Sequence, residues 1–130
     1  PSAYHPLTLR IGLLSTAYKT DTEKYTATDN DENFMLHLAR GTPDIQLANT
    51  DLQTAIAIAF AAKGPARNHE MLLKQGKVGQ AILSAAIGLD QASSGNLAGT
   101  SDSLATLRAV GLEDTARRAA LQLLILERFN

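Results

Sequence analysis

Gly76 and Gly111 stand 111 − 76 = 35 positions apart, and each is followed five residues later by an alanine, Ala81 and Ala116. A short apolar segment closes before each glycine (Leu72 and Leu73; Leu104, Leu107 and Val110), and a longer one opens after it. Both stretches therefore read as helix, tight turn, helix, because glycine takes the left-handed backbone that ends a helix without a Cβ penalty. An echo at this spacing marks helical hairpins that bury their apolar faces against one another. It defines an architecture and leaves the chemistry open.

Composition points the same way. Ala and Leu dominate the 130 residues, aromatics make up 5%, and β-branched residues are sparse, a balance that favours helices over strands. The expected fold is all-α: stacked antiparallel helix hairpins, an irregular helical repeat or bundle, with about six to seven helices. A chain of this length fits one domain spanning 1–130 and buries roughly two thirds of its unfolded surface. Small Ala-lined faces let helices approach closely, but each Ala contributes less transfer free energy than a Leu, so the expected core is thin. The chain opens on Pro1, from which we expect a segment of a longer protein.

A formal net charge of −1 gives no general attraction to phosphate backbones, so no nucleic-acid partner is expected. The longest nearly uninterrupted apolar run, 55–62, falls far short of the roughly twenty residues needed to cross a bilayer, so no membrane span is expected. The absence of cysteine excludes disulfides and thiolate metal sites, and it suits reducing and oxidising compartments alike.

Along the chain, Leu7, Ile11, Leu14 and Tyr18 recur on one helical face, which predicts a helix over about 6–19. A polar surface loop is expected over 20–33, and then a short helix around Phe34 and Leu38 that ends at Gly41. Thr42-Pro43-Asp44 reads as a fresh N-terminus, and Thr50 with Gln53 as a capping box for the stripe Leu52, Ala55, Ile56, Ala59 and Phe60, closed by Gly64-Pro65. A shorter helix over 66–75 and a longer one from Val78 form the first hairpin. Turn chemistry follows at 93–99, then a helix capped by Ser101 that ends near Gly111, and a last helix from Leu112 to about Phe129 whose apolar girth requires a covering helix.

The segments from Gly76 through Ala81, Ala85 and Leu89, and from Gly111 through Ala116, Ala120 and Leu124, resemble the second half of a tetratricopeptide repeat: a hairpin glycine, an alanine, and further small and apolar residues. Ala85 and Ala120 stand where that family carries a bulky residue, Asn68 and Ser103 where it carries an apolar one, and no proline closes either copy. The resemblance implies a right-handed stack of helix pairs whose concave face binds a peptide or another protein without catalysis.

Asp29, Asp31 and Asn33 alternate like the first ligands of a calcium loop, but Phe34 replaces the turn glycine and Arg40 the bidentate glutamate, so the stretch is read as a solvated acidic loop. His5, His37 and His69 are scattered and lack the spacing of a helical metal site. No nucleophile elbow, phosphate-cradling loop or zinc-protease motif is present, so no catalytic residue, metal or cofactor is assigned. Lys63, Arg67, Lys74 and Lys77, against Glu70, make the first hairpin basic, whereas Asp21, Glu23, Asp29, Asp31 and Glu32 make the early loop acidic. These two regions pair with each other, face partners of opposite charge, or stand as separate solvated faces. Arg67, Lys74, Lys77 and Arg117 are the candidate partner-binding residues.

The leading expectation is thus a non-catalytic helical-repeat module for protein-protein interaction or scaffolding, with another protein or a peptide as partner. The alternative is a helical accessory or substrate-binding domain of a larger enzyme, with the loop 20–33 over a cleft. A third arrangement buries the face 121–129 of the last helix between identical chains.

Overall fold

Gly76 and Gly111 do what their spacing implies: both hold left-handed backbone, with φ of 73° and 89°. At the first, Gly76 N–H donates to Leu73 O (3.0 Å) and Lys77 N–H to Leu72 O (2.8 Å); at the second, Gly111 N–H donates to Arg108 O (3.1 Å) and Leu112 N–H to Leu107 O (2.9 Å). This pair of bonds is the Schellman closure, which satisfies carbonyls left open at a helix end and reverses the chain. Gly41 closes an earlier helix in the same way, Gly41 N–H donating to Leu38 O and Thr42 N–H to His37 O.

The structure, a computed structural model, describes residues 29–129. The helix expected over 6–19 and the loop residues 20–28 lie outside the described residues. Within them the chain forms six α-helices: α1 (Asn30–Ala39), α2 (Asp51–Ala61), α3 (Arg67–Lys74), α4 (Val78–Asp90), α5 (Leu97–Ala109) and α6 (Glu113–Phe129). Two short 3-10 segments, Ile45–Leu47 and Gln91–Ser94, complete the order, and no strand is present among the described residues. The fold is all-α, as composition and periodicity imply.

Three helix starts differ from expectation. Helix α1 begins at Asn30, inside the stretch read as loop, because Asp29 Oδ1 accepts from Glu32 N–H at 2.8 Å and two acids follow in the first turn, where the helix dipole favours them. Pro43 does not open a helix; Asp44 caps the 3-10 segment by accepting from Gln46 N–H at 2.9 Å. Asn96, not Ser101, caps α5, accepting from Gly99 N–H at 3.0 Å. The Thr50 cap of α2 is as expected, with Thr50 Oγ1 accepting from Gln53 N–H at 3.1 Å. Gln53 Oε1 reaches back one residue beyond the capping-box position, to Asn49 N–H at 2.7 Å.

The two glycine-hinged hairpins, α3–α4 and α5–α6, lie against each other, joined chiefly through α4 and α5. The opposite side of α5–α6 receives α2 against α5 and α1 against α6. The stacking order is therefore α3–α4, then α5–α6, then α1 with α2, so the last hairpin in sequence is the middle layer in space.

The core runs along this middle layer. Phe34, Leu38, Ile56, Leu104 and Leu121 lose all solvent contact, and each large apolar side chain contributes about 1.5–3 kcal/mol on burial. Ala81 and Ala85 are fully buried on α4, whose main neighbour is α5. A Cβ on Gly88 would clash with Ser103 Oγ. Helix α5 also buries Thr100, Ser103 and Thr106. Thr100 Oγ1 donates to Asn96 O at 3.0 Å, which lets a polar side chain sit inside the core. The covering helix that α6 requires is supplied within the chain: Leu121 and Leu124 are buried here, and Leu126 stays exposed.

Candidate functional site

The outer layer, α3–α4, carries the largest group of exposed apolar side chains. Arg67, Met71 and Lys74 recur at i, i+4 and i+7 and so share the exposed stripe of α3, with Met71 68% exposed. On α4, Leu83 (62% exposed), Ala86 and Ile87 form a second exposed stripe, and Val78 stands exposed at the hinge. The cause lies in the packing: α4 spends Ala81 and Ala85 on α5, and no further helix among the described residues covers the opposite side.

Three of the four candidate partner-binding residues ring this layer. Arg67 opens α3, Lys77 precedes α4 at the turn, and both are exposed without an ion pair among the described residues. Lys74 Nζ lies 3.3 Å from Glu70 in an exposed i, i+4 pair, a geometry that contributes only a few tenths of a kcal/mol. Arg117 does not join them. It sits on the inward side of α6, 1% exposed, with its Nε 3.8 Å from Asp114, so it belongs to the interior and not to a surface patch.

A second feature is a polar groove of about 320 Å³ between α3, α4 and α5. Asn68 and Leu72 of α3 face Ser84 and Ile87 of α4, and Asp102 and Ser103 contribute from α5. His69 also reaches it, although the ring is largely buried: its Nδ1 lies 2.6 Å from Thr106 Oγ1, which also accepts from Ala66 N–H at 3.4 Å. The Thr106 hydroxyl, with one donor and two acceptor lone pairs, serves the Ala66 amide and the His69 ring together. This pair ties α3 to α5 across the two hairpins.

A third, wider groove of about 670 Å³ lies between the first 3-10 segment and α2, walled by Ile45, Ala57, Ile58 and Ala61, with His37 and Asp44 at its edge. His37 is turned back onto its own helix, Nδ1 donating to Asn33 O at 2.8 Å.

Of the early acidic residues, Asp21 and Glu23 lie outside the described residues, and Asp29 and Asp31 are engaged by α6 and α2. Asp29 pairs with Arg128 near the end of α6, Nη2 to Oδ2 at 2.8 Å, and Asp31 Oδ1 accepts from Gln53 Nε2 at 2.9 Å. The hydrogen bond it donates to Asp29 holds the Arg128 guanidinium above the ordinary arginine range. Glu32 is buried in α1. The calcium-like alternation is thus used for capping and tethering. Among the described residues, no three of His, Asp and Glu come together in a group that could hold a metal ion, and no helix is long and apolar enough to cross a membrane.

Compared with known proteins, the chain matches no family model, and no curated protein or solved structure matches it. The basic stripe of the hairpin is readable from sequence by its spacing. The polar groove is not, because its residues come from three helices with no shared motif; the only local hint is the run of small and polar residues from Asn96 to Ser103.

Proposed function

We propose that this chain is a non-catalytic helical-repeat type module for protein-protein interaction or scaffolding, and that the α3–α4 layer is its contact surface. The observation that carries the reading is the outer face of that layer: Met71, Val78, Leu83 and Ile87 are exposed on an end layer flanked by Arg67, Lys74 and Lys77. End layers of helical stacks ordinarily present polar outer faces for solubility, and exposed apolar groups rimmed by charge mark interaction sites. The partner this chemistry selects is a protein segment with apolar anchors and flanking acidic residues, drawn in by charge and held by burial. The resemblance of both hairpins to the second half of a tetratricopeptide repeat supports the same reading.

The test is affinity capture with the wild-type chain, with Lys74→Glu/Lys77→Glu, and with Met71→Ser/Leu83→Ser, each read by mass spectrometry. The reading expects an acidic protein that the wild type retains and both double variants lose. Identical capture profiles for the three chains would remove the α3–α4 layer from consideration.

A further inference from the structure

The groove between α3, α4 and α5 carries a charge pattern opposite to that of the hairpin beside it. Asp102 is its only carboxylate, no lysine or arginine lines it, and Asp102 makes no hydrogen bond or ion pair among the described residues. Leu72 and Ile87 form apolar wall on the α3 and α4 sides. Asn68 and Ser84 add neutral oxygen acceptors, and the His69 ring beneath is held in place by Thr106. At about 320 Å³ the space lies at the low end of the range of ligand pockets.

We propose that this groove binds a cation carried on a short aliphatic stem, an alkylammonium or alkylguanidinium group. A half-buried carboxylate beside neutral acceptors forms charge-assisted hydrogen bonds with such a head group, and Leu72 and Ile87 cover its methylenes as other proteins cover the stems of lysine and arginine. A carboxylate ligand would meet Asp102 as a like charge and is rejected. The cation is either a free small amine or a lysine or arginine side chain of another protein. This site shares Ile87 with the exposed face of α3–α4, but it stands or falls with Asp102 and not with Lys74 or Lys77.

The experiment is a low-salt titration of the full chain followed by amide NMR, with butylammonium, butylguanidinium and butyrate as probes. The expected result is that both cations shift the amides of Leu72, Ile87, Gly88, Gly99 and Ser103, that butyrate does not, and that Asp102→Asn weakens binding at least tenfold while Asp51→Asn on α2 leaves it unchanged. The unliganded spectrum of Asp102→Asn reports whether that variant is folded. Independently of it, Ile87→Ser on the exposed wall is expected to weaken butylammonium binding more than methylammonium binding. Shifts confined to other residues, equal binding by Asp102→Asn, or equal binding of butyrate would each overturn the proposal. An acetylated, amidated Gly-Arg-Gly peptide distinguishes the sources: binding tighter than butylguanidinium assigns the groove to a partner's side chain, equal or weaker binding assigns it to a free amine, and both support the cation site.

Discussion

Arg108 holds Phe60 twice: its Nη1 donates to the Phe60 carbonyl at 2.6 Å, and its guanidinium carbon lies 4.9 Å from the centre of the Phe60 ring. The same nitrogen also donates to Ala59 O at 3.1 Å, so an arginine of α5 satisfies carbonyls at the C-terminal end of α2, where the helix dipole favours a cation. On its other side, Nε meets Glu113 at 2.8 Å at the start of α6. One side chain thus fastens the middle layer to its neighbour.

Replacing Arg108 by Ala is expected to destabilise the fold by about 1.5–3 kcal/mol, the range for hydrogen bonds from a charged group. Glu113→Ala, which removes only the exposed partner, is expected to cost under about 1 kcal/mol. Urea unfolding followed by circular dichroism checks both. Equal losses in the two variants would show that the contact to α2 is not the stabilising one.

Thr106→Val keeps the shape of the side chain and removes the hydroxyl shared by His69 and the Ala66 amide. It is expected to cost about 1–3 kcal/mol, because His69 Nδ1 is left buried without a partner. Thr106→Ser retains the hydroxyl and is expected to recover most of this. Nitrogen-15 NMR of the His69 ring in the wild type reads the direction of this bond: a proton on Nε2 makes Thr106 the donor, and a proton on Nδ1 makes it the acceptor.

Gly88→Ala drives a methyl group against Ser103 Oγ and is expected to destabilise by about 1–3 kcal/mol, the usual range for overpacking. With Ser103→Ala added, the nearest remaining atoms are Gly99 O and the Cβ of residue 103, each at 3.4 Å, so the double variant is expected to be more stable than the sum of the single effects by about 0.5–3 kcal/mol. Additive losses in a double-mutant cycle of thermal unfolding would mean that backbone, and not this hydroxyl, sets the α4–α5 distance.

Asp29 both caps α1 and pairs with Arg128. Asp29→Asn keeps an N-cap acceptor and is expected to cost under about 1 kcal/mol, whereas Asp29→Ala loses both roles and is expected to cost about 0.5–2 kcal/mol. Raising the folded-state pKa of Arg128 places the loss of its contribution at pH above the ordinary arginine range, and the contribution is present at every lower pH where Asp29 is ionised. Stability measured from about pH 6 to 9 is therefore expected to show no step from this arginine, and the effect of Asp29→Asn to stay constant across that window.

What the sequence disclosed follows from how each signal is carried. The glycine turns and the stripe of α2 depend on neighbours within a few residues, so spacing reveals them. Helix α5 is harder to read as the buried centre, because Thr100, Ser103 and Thr106 look like surface residues until their partners in space are known. Polarity also concealed the first turn of α1, where Asp31 and Glu32 follow a capping aspartate. Arg117 was misplaced for a related reason: charge argues for solvent, and only the packing of α6 shows which of two adjacent arginines turns inward. The polar groove needs three helices brought together, and no local pattern announces it.

The position of α5–α6 between its two flanking layers has a consequence for how the chain is made. As it leaves the ribosome, α1 to α4 are complete before the surface that both flanks require exists, and only α5 and α6 let either side dock. A truncation before Leu97 is thus expected to leave unfolded chain and not a shorter stack, in contrast to arrays whose units are lost one at a time from an end. Quality control acting on this chain would meet an all-or-none product, decided by α5 and α6.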